Sequence, residues 1–403
     1  MNQYYPPDTS ATAPIVKDVA EALGRDHQVK VLAGRPSYAP KERHPYYLLR
    51  KEARGSIKVE RVGSTAFHRG KRLNRLANYL SFMILGSLRA MLMRPRPDVV
   101  IAMTDPPMIS LAAAMVAFVR RSRFVYNIRD LHPDMAVAAG IRIPRIAVAL
   151  WERAHRWALR RAALVVLLGE DMRDRVVAKG VAKERAVVVR DGAWPLEPAS
   201  GDADIARQVR GDFDFVLVHA GNLGFAGDWD MLLAAAKDMA SDGVGTVFIG
   251  DGARKSELVR KAAEAPNVRF LPFFPSDKLP DVLAAADIHI VAVRAGLEGL
   301  VVPSKLYPIL MAGKPVLVVA PEASDAARIV REYGCGAVVS PTDVAGLVAA
   351  VRRLAADRKG LAALGQHALK ASGAFSRERE LSRLVGYIEG LAGPRLAASR
   401  VKS

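Results

Sequence analysis

Short runs of β-branched and aliphatic residues alternate with longer stretches of helical periodicity along most of the chain. In the first half the runs are Val29-Lys30-Val31-Leu32, Val59-Glu60-Arg61-Val62, Asp98-Val99-Val100-Ile101-Ala102, Arg123-Phe124-Val125-Tyr126, Leu164-Val165-Val166-Leu167 and Val187-Val188-Val189. Strands separated by helical spans need crossover connections, so the pattern predicts a parallel, doubly wound α/β sheet. The pattern restarts after a Gly/Pro/Ala/Asp-rich stretch and reads Phe215 to His219, Gly245 to Ile249, Val268 to Leu271, Ile288 to Val291, Pro315 to Val319 and Ala337 to Val339. Two Rossmann-like domains are therefore expected: residues 1–191, a linker over 192–204, residues 205–375, and a C-terminal helix and tail over 376–403. Facing one another, two such sheets align their strand C-termini, and with them the ligand-binding loops, along one cleft.

One irregularity stands at the start. A doubly wound domain normally opens on an apolar first strand, yet Met1 leads at once into loop-like Tyr4-Tyr5-Pro6-Pro7. The first strand of the first sheet is missing from the pattern, and translation is expected to begin upstream.

Composition changes this picture little, and charge changes it more. A chain of 403 residues with 51% hydrophobic content suits two globular cores. The single cysteine, Cys335, lies beside an apolar run, excludes a disulfide framework and reads as a buried small residue. Residues 1–200 carry 34 Lys+Arg against 18 Asp+Glu, and the remainder 25 against 23. A basic first half implies a polyanionic partner, either nucleic acid or an anionic lipid surface, unless it is simply a solvated face. No zinc-finger, RNP-like or basic-zipper pattern accompanies it, and no nucleic-acid partner is expected. The opening residues lack a signal peptide and no clean spanning helix occurs, which predicts a cytoplasmic chain without a transmembrane segment. The stretch from Arg69 to Arg96 brackets an apolar, aromatic-containing helix with basic residues, and reads either as an interfacial membrane helix or as a core helix with basic ends.

Candidate chemistry gathers after the strands. Gly221-Asn222-Leu223-Gly224 follows a strand and precedes a helix, where small residues let backbone amides approach a diphosphate; an ordinary tight turn is the alternative. Gly250-Asp251-Gly252 is a second such turn. Arg294 to Tyr307 contains Pro303-Ser304-Lys305, a plausible helix start with Ser304 capping. A lysine in that first turn opposes the helix dipole unless an anion is near. In the first half Asp130, His132 and Asp134 follow a strand and are expected to project into the cleft for acceptor recognition or proton transfer, with capping duty as the alternative. Thr104-Asp105-Pro106-Pro107 occupies the matching place after the preceding strand.

Over nearly its whole length the chain resembles the family 4 retaining glycosyltransferases of the GT-B fold, particularly the colanic acid, capsule and O-antigen sugar transferases. The resemblance rests on Asn2-Gln3-Tyr4-Tyr5-Pro6-Pro7, Asp130-Leu131-His132-Pro133-Asp134, Gly221-Asn222-Leu223-Gly224 and Pro303-Ser304-Lys305-Leu306-Tyr307 leading to Ala312-Gly313-Lys314-Pro315-Val316. It implies a nucleotide-sugar donor, UDP-linked and N-acetylated or deoxy, held by the second domain. It also implies a polyprenyl-diphosphate-linked or glycan acceptor on the first, no bound metal or other cofactor, and a peripheral position on the inner face of the cytoplasmic membrane. Lys305, Arg294, Ser304 and the amides from Gly221 to Gly224 would meet the diphosphate, Gly250, Asp251 and Phe273 the nucleoside, Glu298 the donor sugar, and Asp130 or His132 the acceptor. The family's paired glutamates are not intact: Pro308 stands at the second position and Leu300 at the first, with Glu298 two residues earlier, and Asn222 stands where an arginine is frequent. Rival readings are a nucleotide-sugar 2-epimerase of the same fold, a basic binding protein without catalysis, and a degenerate transferase kept as a binding subunit.

Overall fold

A computed structural model of the chain describes residues 1–37, 46–68 and 71–392. The first domain contains α1 (Thr12–Gly24), β1 (Lys30–Ala33), β2 (Leu49–Arg54), β3 (Ile57–Val62), α2 (Arg72–Leu92), β4 (Val99–Ala102) and α3 (Ile109–Arg120). It continues with β5 (Arg123–Asn127), α4 (Asp134–Ala138), α5 (Arg145–Arg161), β6 (Leu164–Leu167), α6 (Glu170–Ala178) and β7 (Ala186–Val188). After the chain crosses over come α7 (Ala203–Arg210), β8 (Phe215–Ala220), α8 (Trp229–Asp238), β9 (Val244–Ile249), α9 (Lys255–Lys261), β10 (Val268–Leu271) and α10 (Leu279–Ala285). Then follow β11 (Ile288–Ala292), α11 (Leu306–Met311), β12 (Val316–Val319), α12 (Asp325–Tyr333), β13 (Gly336–Val339), α13 (Val344–Ala356), α14 (Arg358–Ser372) and α15 (Arg377–Ala392).

The second domain is a six-stranded, wholly parallel sheet in the order β10-β9-β8-β11-β12-β13. Its strands are nearly continuous apolar runs, as a sheet covered on both faces requires, and β8, β9, β11 and β12 are buried almost throughout. Strand order reverses between β8 and β11, which opens the crevice where a doubly wound sheet takes its ligand.

The first domain departs from the expected pattern at two places. Its sheet is split into β1-β3-β2 and β4-β5-β6-β7, and no strand among the described residues joins β1 to β4. In addition, β2 runs antiparallel to β3, through a tight turn at Gly55, whose φ of +57° is left-handed. The strand is highly charged and largely solvent-facing on both sides, so no apolar alternation marks it.

Two segments connect the domains. The chain leaves β7 through Val189–Gly201 and returns between α14 and α15, and the two crossings hydrogen-bond side by side: Ala193 N to Phe375 O at 3.1 Å and Arg377 N to Ala193 O at 2.8 Å. Helix α15 then packs back on the first domain, where Leu381, Leu384 and Ile388 share a core with Val16, Val19 and Val31.

Candidate active site

At the switch point of the second sheet, β8 ends in His219-Ala220 and hands over to Gly221-Asn222-Leu223-Gly224. Gly221 has a φ of +147°, and a Cβ there would stand 2.8 Å from Lys305 Nζ, so only glycine lets the lysine lie against the backbone. The turn is fixed from three sides. Trp229 Nε1 donates to Gly224 O at 2.6 Å, Leu223 N donates to Asp251 O at 2.8 Å, and Arg254 N donates to Leu223 O at 3.0 Å. Gly250 is pressed so closely on this turn that a Cβ would lie 2.0 Å from Gly221 O. The two glycine turns after β8 and β9 are thus one laced cradle, and Phe273, 60% exposed, stands beside Gly250 at its mouth.

Lys305 enters this cradle from the segment after β11. Its Nζ lies 2.9 Å from His219 Nε2, and no carboxylate is paired with it among the described ion pairs. Burial pushes its pKa down from 10.5 to about 7, and burial together with the neighbouring Lys305 charge pushes His219 well below its ordinary value. His219 is therefore a neutral imidazole that accepts from the ammonium, and Trp229 packs edge-on against its ring with centroids 4.6 Å apart. A buried cation whose partner is a neutral ring is electrostatically incomplete, and an anion at that point would complete it.

The expected capping at Ser304 does not occur. Helix α11 begins at Leu306, Lys305 occupies the cap position without a side-chain cap hydrogen bond, and Ser304 is an exposed turn residue. The short segment 301–305 is spent on bringing Lys305 to His219, which leaves Ser304 turned to solvent. Glu298 is tied to the first domain. Its carboxylate pairs with Arg175 of α6 at 3.3 Å, and Arg175 Nε also donates to Glu298 O at 2.5 Å, while the next residue's amide donates to Asp171 at 3.0 Å. Arg294 reaches the first domain, donating from Nη2 to Ala138 O at 3.3 Å.

On the first-domain side the turns after β4 and β5 meet. Asp130 is largely buried, and burial together with the nearby Asp105 carboxylate pushes its pKa up to about 6 despite Arg129 beside it. His132 stacks on Trp151 with ring centroids 5.7 Å apart, and burial pushes its pKa down to about 4, so it is a neutral ring whose Nδ1 has no hydrogen-bond partner. Asp134 does not project freely: it opens α4 and pairs with Lys179 at 2.8 Å. Sequence reasoning missed His219, Asp171, Arg175 and Arg190. Asp171 accepts from Asp325 N at 3.0 Å, and Arg190 pairs with Asp325 at 2.7 Å, so together with Arg175 they bind the domains across the cleft wall. The one available hint was a polar residue ending an apolar strand at His219.

Two facing Rossmann-like domains with a glycine cradle and a buried cation at the switch point have the architecture of the GT-B transferases. Residues 10–192 match the glycosyl transferase 4-like domain and residues 214–357 match the glycosyl transferases group 1 domain. The chain belongs to these glycosyltransferases and is an enzyme of that class. It is 23% identical over 372 residues, 87% of this chain and 89% of the relative, to the putative colanic acid biosynthesis glycosyl transferase WcaI of Escherichia coli. It is 26% identical over 265 residues to the probable glycosyltransferase WbjE of Pseudomonas aeruginosa, spanning 62% of this chain and 64% of that protein. Among solved structures, Anabaena HepE in complex with UDP-glucose superposes with a TM-score of 0.66 at 16% identity, over 96% of this chain and 98% of that one. Both relatives are named as glycosyltransferases, and WcaI is assigned to colanic acid biosynthesis.

Proposed function

We propose that this enzyme transfers a sugar, with retention, from a nucleoside-diphosphate donor to a lipid-linked or polysaccharide acceptor at an anionic membrane surface. The observation that carries the donor side is the Lys305 ammonium, buried in the Gly221–Gly224 and Gly250–Gly252 cradle against a neutral imidazole. Of the substituents on such a donor, the diphosphate is the group that completes that charge, and the UDP-glucose complex of the structural neighbour HepE favours a uridine donor. Departure of the nucleoside diphosphate leaves negative charge on its terminal phosphate while positive charge develops at the sugar carbon. Lys305 meets the first of these, and its contribution grows as the transition state is approached. The exposed Phe273 ring beside Gly250 offers a stacking face for the base. Asp130, with its raised pKa and its place after β5, orients the acceptor hydroxyl and lowers its proton's cost of departure. Glu298, held by Arg175, serves the donor sugar only through the position of its loop.

The membrane side rests on α2. Leu73, Leu76, Leu80, Ile84, Leu88 and Leu92 follow helical spacing and are 48% to 78% exposed, while Phe82 and Ala90 face the core. The stripe runs about 28 Å along the helix. Exposed Lys71, Arg75, Arg94 and Arg96 surround it, and the neighbouring α3 and α5 add exposed Phe118, Ile146 and Leu150. An apolar stripe rimmed with cations fits the headgroup boundary of an anionic bilayer. Arg69, which opens the stretch noted in the sequence, lies outside the described residues. No helix among the described residues is long and apolar enough to cross a membrane.

Thermal unfolding with UDP, GDP, dTDP and buffer alone tests the donor assignment. One nucleotide at a hundredfold excess over its Kd is expected to stabilise the protein by about 2.7 kcal/mol, and Lys305→Ala to lose that shift. Absence of a shift with all three nucleotides would remove the basis of the proposal.

A further inference from the structure

Residues 296–299 follow β11 and belong to the second domain in sequence, yet the first domain holds them. Helix α6 carries Asp171 and Arg175 four residues apart, and therefore on one face. Asp171 Oδ2 accepts from Gly299 N at 3.0 Å, while Arg175 donates from Nε to Glu298 O at 2.5 Å and from Nη2 to Gly296 O at 3.2 Å. A carboxylate and a guanidinium thus take up three main-chain groups of one short loop. The approach is close: at Gly299, with a φ of +71°, a Cβ would stand 2.6 Å from Asp171 O and 3.0 Å from Arg175 Cδ. The loop's own backbone bonds are local turns, Leu297 N to Arg294 O, Leu300 N to Leu297 O and Val301 N to Leu297 O. Among the described residues, the hydrogen bonds that tie 296–299 to anything outside 294–301 come from α6. Leu297 and Leu300 also share a buried apolar cluster with Met172 and Val176 of that helix.

The hold is braced at its base. Asp171 Oδ2 accepts from Asp325 N at 3.0 Å, and Asp325 Oδ1 in turn accepts from Glu170 N at 3.0 Å, so the starts of α6 and α12 cap each other across the domain boundary. Two buried carboxylates brought together in this way repel. Arg190, on the crossing after β7, offsets that cost with a two-pronged pair to Asp325, Nε to Oδ2 at 2.9 Å and Nη2 to Oδ1 at 2.7 Å.

The held loop leads directly to the cradle. Lys305 follows Gly299 by six positions, and a bridge between Glu298 and Val301 shortens the free span further. So short a tether passes a displacement of Gly299 on to Lys305, whose Nζ is seated 2.9 Å from His219 Nε2 and against Gly221, where even a small misplacement is costly.

We propose that α6 of the first domain is a positioning element of the donor site: through Asp171 and Arg175 it fixes loop 296–299 and with it the seat of the Lys305 ammonium, so that a nucleoside diphosphate binds at full strength only while the two domains are docked along this contact. The inference rests on the assignment of Lys305 to the donor's diphosphate. Asp171 and Arg175 are then positioning residues that act through Lys305, and by reciprocity a bound donor tightens the docking of the domains.

Isothermal titration of the full chain with UDP, GDP and dTDP, followed with whichever binds most tightly, tests this. Arg175 is the residue to change, because its partly exposed side chain can become Met while the buried Asp171–Asp325 contact stays closed. Arg175→Met is expected to raise Kd about tenfold, and to add less than about twofold when combined with Lys305→Met, since both losses pass through one ammonium. Asp174→Asn breaks a different pair between α6 and α12, Asp174 with Arg328 at 3.2 Å, and is expected to leave Kd within about twofold. An unchanged Kd in Arg175→Met would overturn the proposal. So would an equal loss in the Lys305→Met background or in Asp174→Asn, either of which would mean general loosening between the domains. Failure of the unsubstituted chain to bind any of the three nucleotides would instead refute the diphosphate role of Lys305, and this inference with it.

Discussion

Donor binding should carry a proton with it. Lys305 has an ordinary pKa of 10.5 and burial brings it to about 7 in the empty cradle. A diphosphate within contact distance favours the ammonium and returns the pKa toward its ordinary range, so above pH 7 each bound nucleotide draws a proton onto Lys305. At pH 7 half of the free enzyme is already protonated, and at pH 9 about 1% is, so Kd for UDP should rise about 50-fold between the two, or about 2.3 kcal/mol. The nucleotide's own phosphate, with a second pKa of about 6, is already about 90% ionised at pH 7 and changes little over that interval. The sign for the free protein is opposite. The unfolded chain holds the Lys305 proton up to about 10.5 and the folded chain releases it from about 7, so this residue makes the unliganded protein more stable as pH rises between those values. Isothermal titration at pH 7, 8 and 9, in buffers of high and low ionisation enthalpy, reads both the slope and the proton uptake. Kd constant within twofold over this range, or the same slope in Lys305→Met, would refute the reasoning.

Other perturbations follow from the same geometry. Gly250→Ala drives a Cβ to 2.0 Å from Gly221 O at a φ of +142°, and should cost about 2–4 kcal/mol in chemical denaturation while weakening UDP binding. Asp130→Asn should lower kcat and abolish an acid limb near pH 6 in the pH–rate profile, whereas a purely structural role would leave that limb in place. Arg190→Met leaves the buried Asp325 carboxylate without its partner and should cost about 3–5 kcal/mol, seen as a lower midpoint in urea. Leu80→Glu combined with Ile84→Glu should abolish co-flotation with phosphatidylglycerol vesicles and leave UDP affinity unchanged; retained flotation would remove α2 from the membrane face.

The apolar runs marked twelve of the thirteen described strands, because most lie in a covered layer and their burial is written in consecutive side chains. The boundaries of β3 and β9 were off by only a residue or two. Strand β2 escaped because Leu49 to Arg54 face solvent on both sides and their only signature is backbone pairing to β3. The glycine turns were legible as turns, since only glycine tolerates their backbone. Their lacing was not, because Gly250 against Gly221 and Leu223 against Asp251 are contacts between separate turns that no local spacing encodes. Lys305 stood out through its unfavourable place near a helix start, whereas His219 did not, because a histidine ending a strand acquires its role only when Lys305 arrives from 86 residues away. Glu298 and Ser304 illustrate the converse: the pairing of one with Arg175 and the missing helix cap at the other are tertiary outcomes that no local spacing encodes.

The paired crossings at Ala193 and Phe375–Arg377 have a mechanical consequence. A single linker would let the halves swivel freely, but two segments zipped edge to edge behave as a strap that bends readily and resists torsion. Gly192, with a φ of +59° and a Cβ position only 2.6 Å from Phe375 O, sits where this strap must fold flat. Any relative movement of the two domains is thereby restricted to bending across this strap. Cutting the chain after Phe375 would leave the 189–201 crossing as the single covalent link between the domains, with α15 still packed on the first domain's core, although the cut lies far from the cradle in sequence.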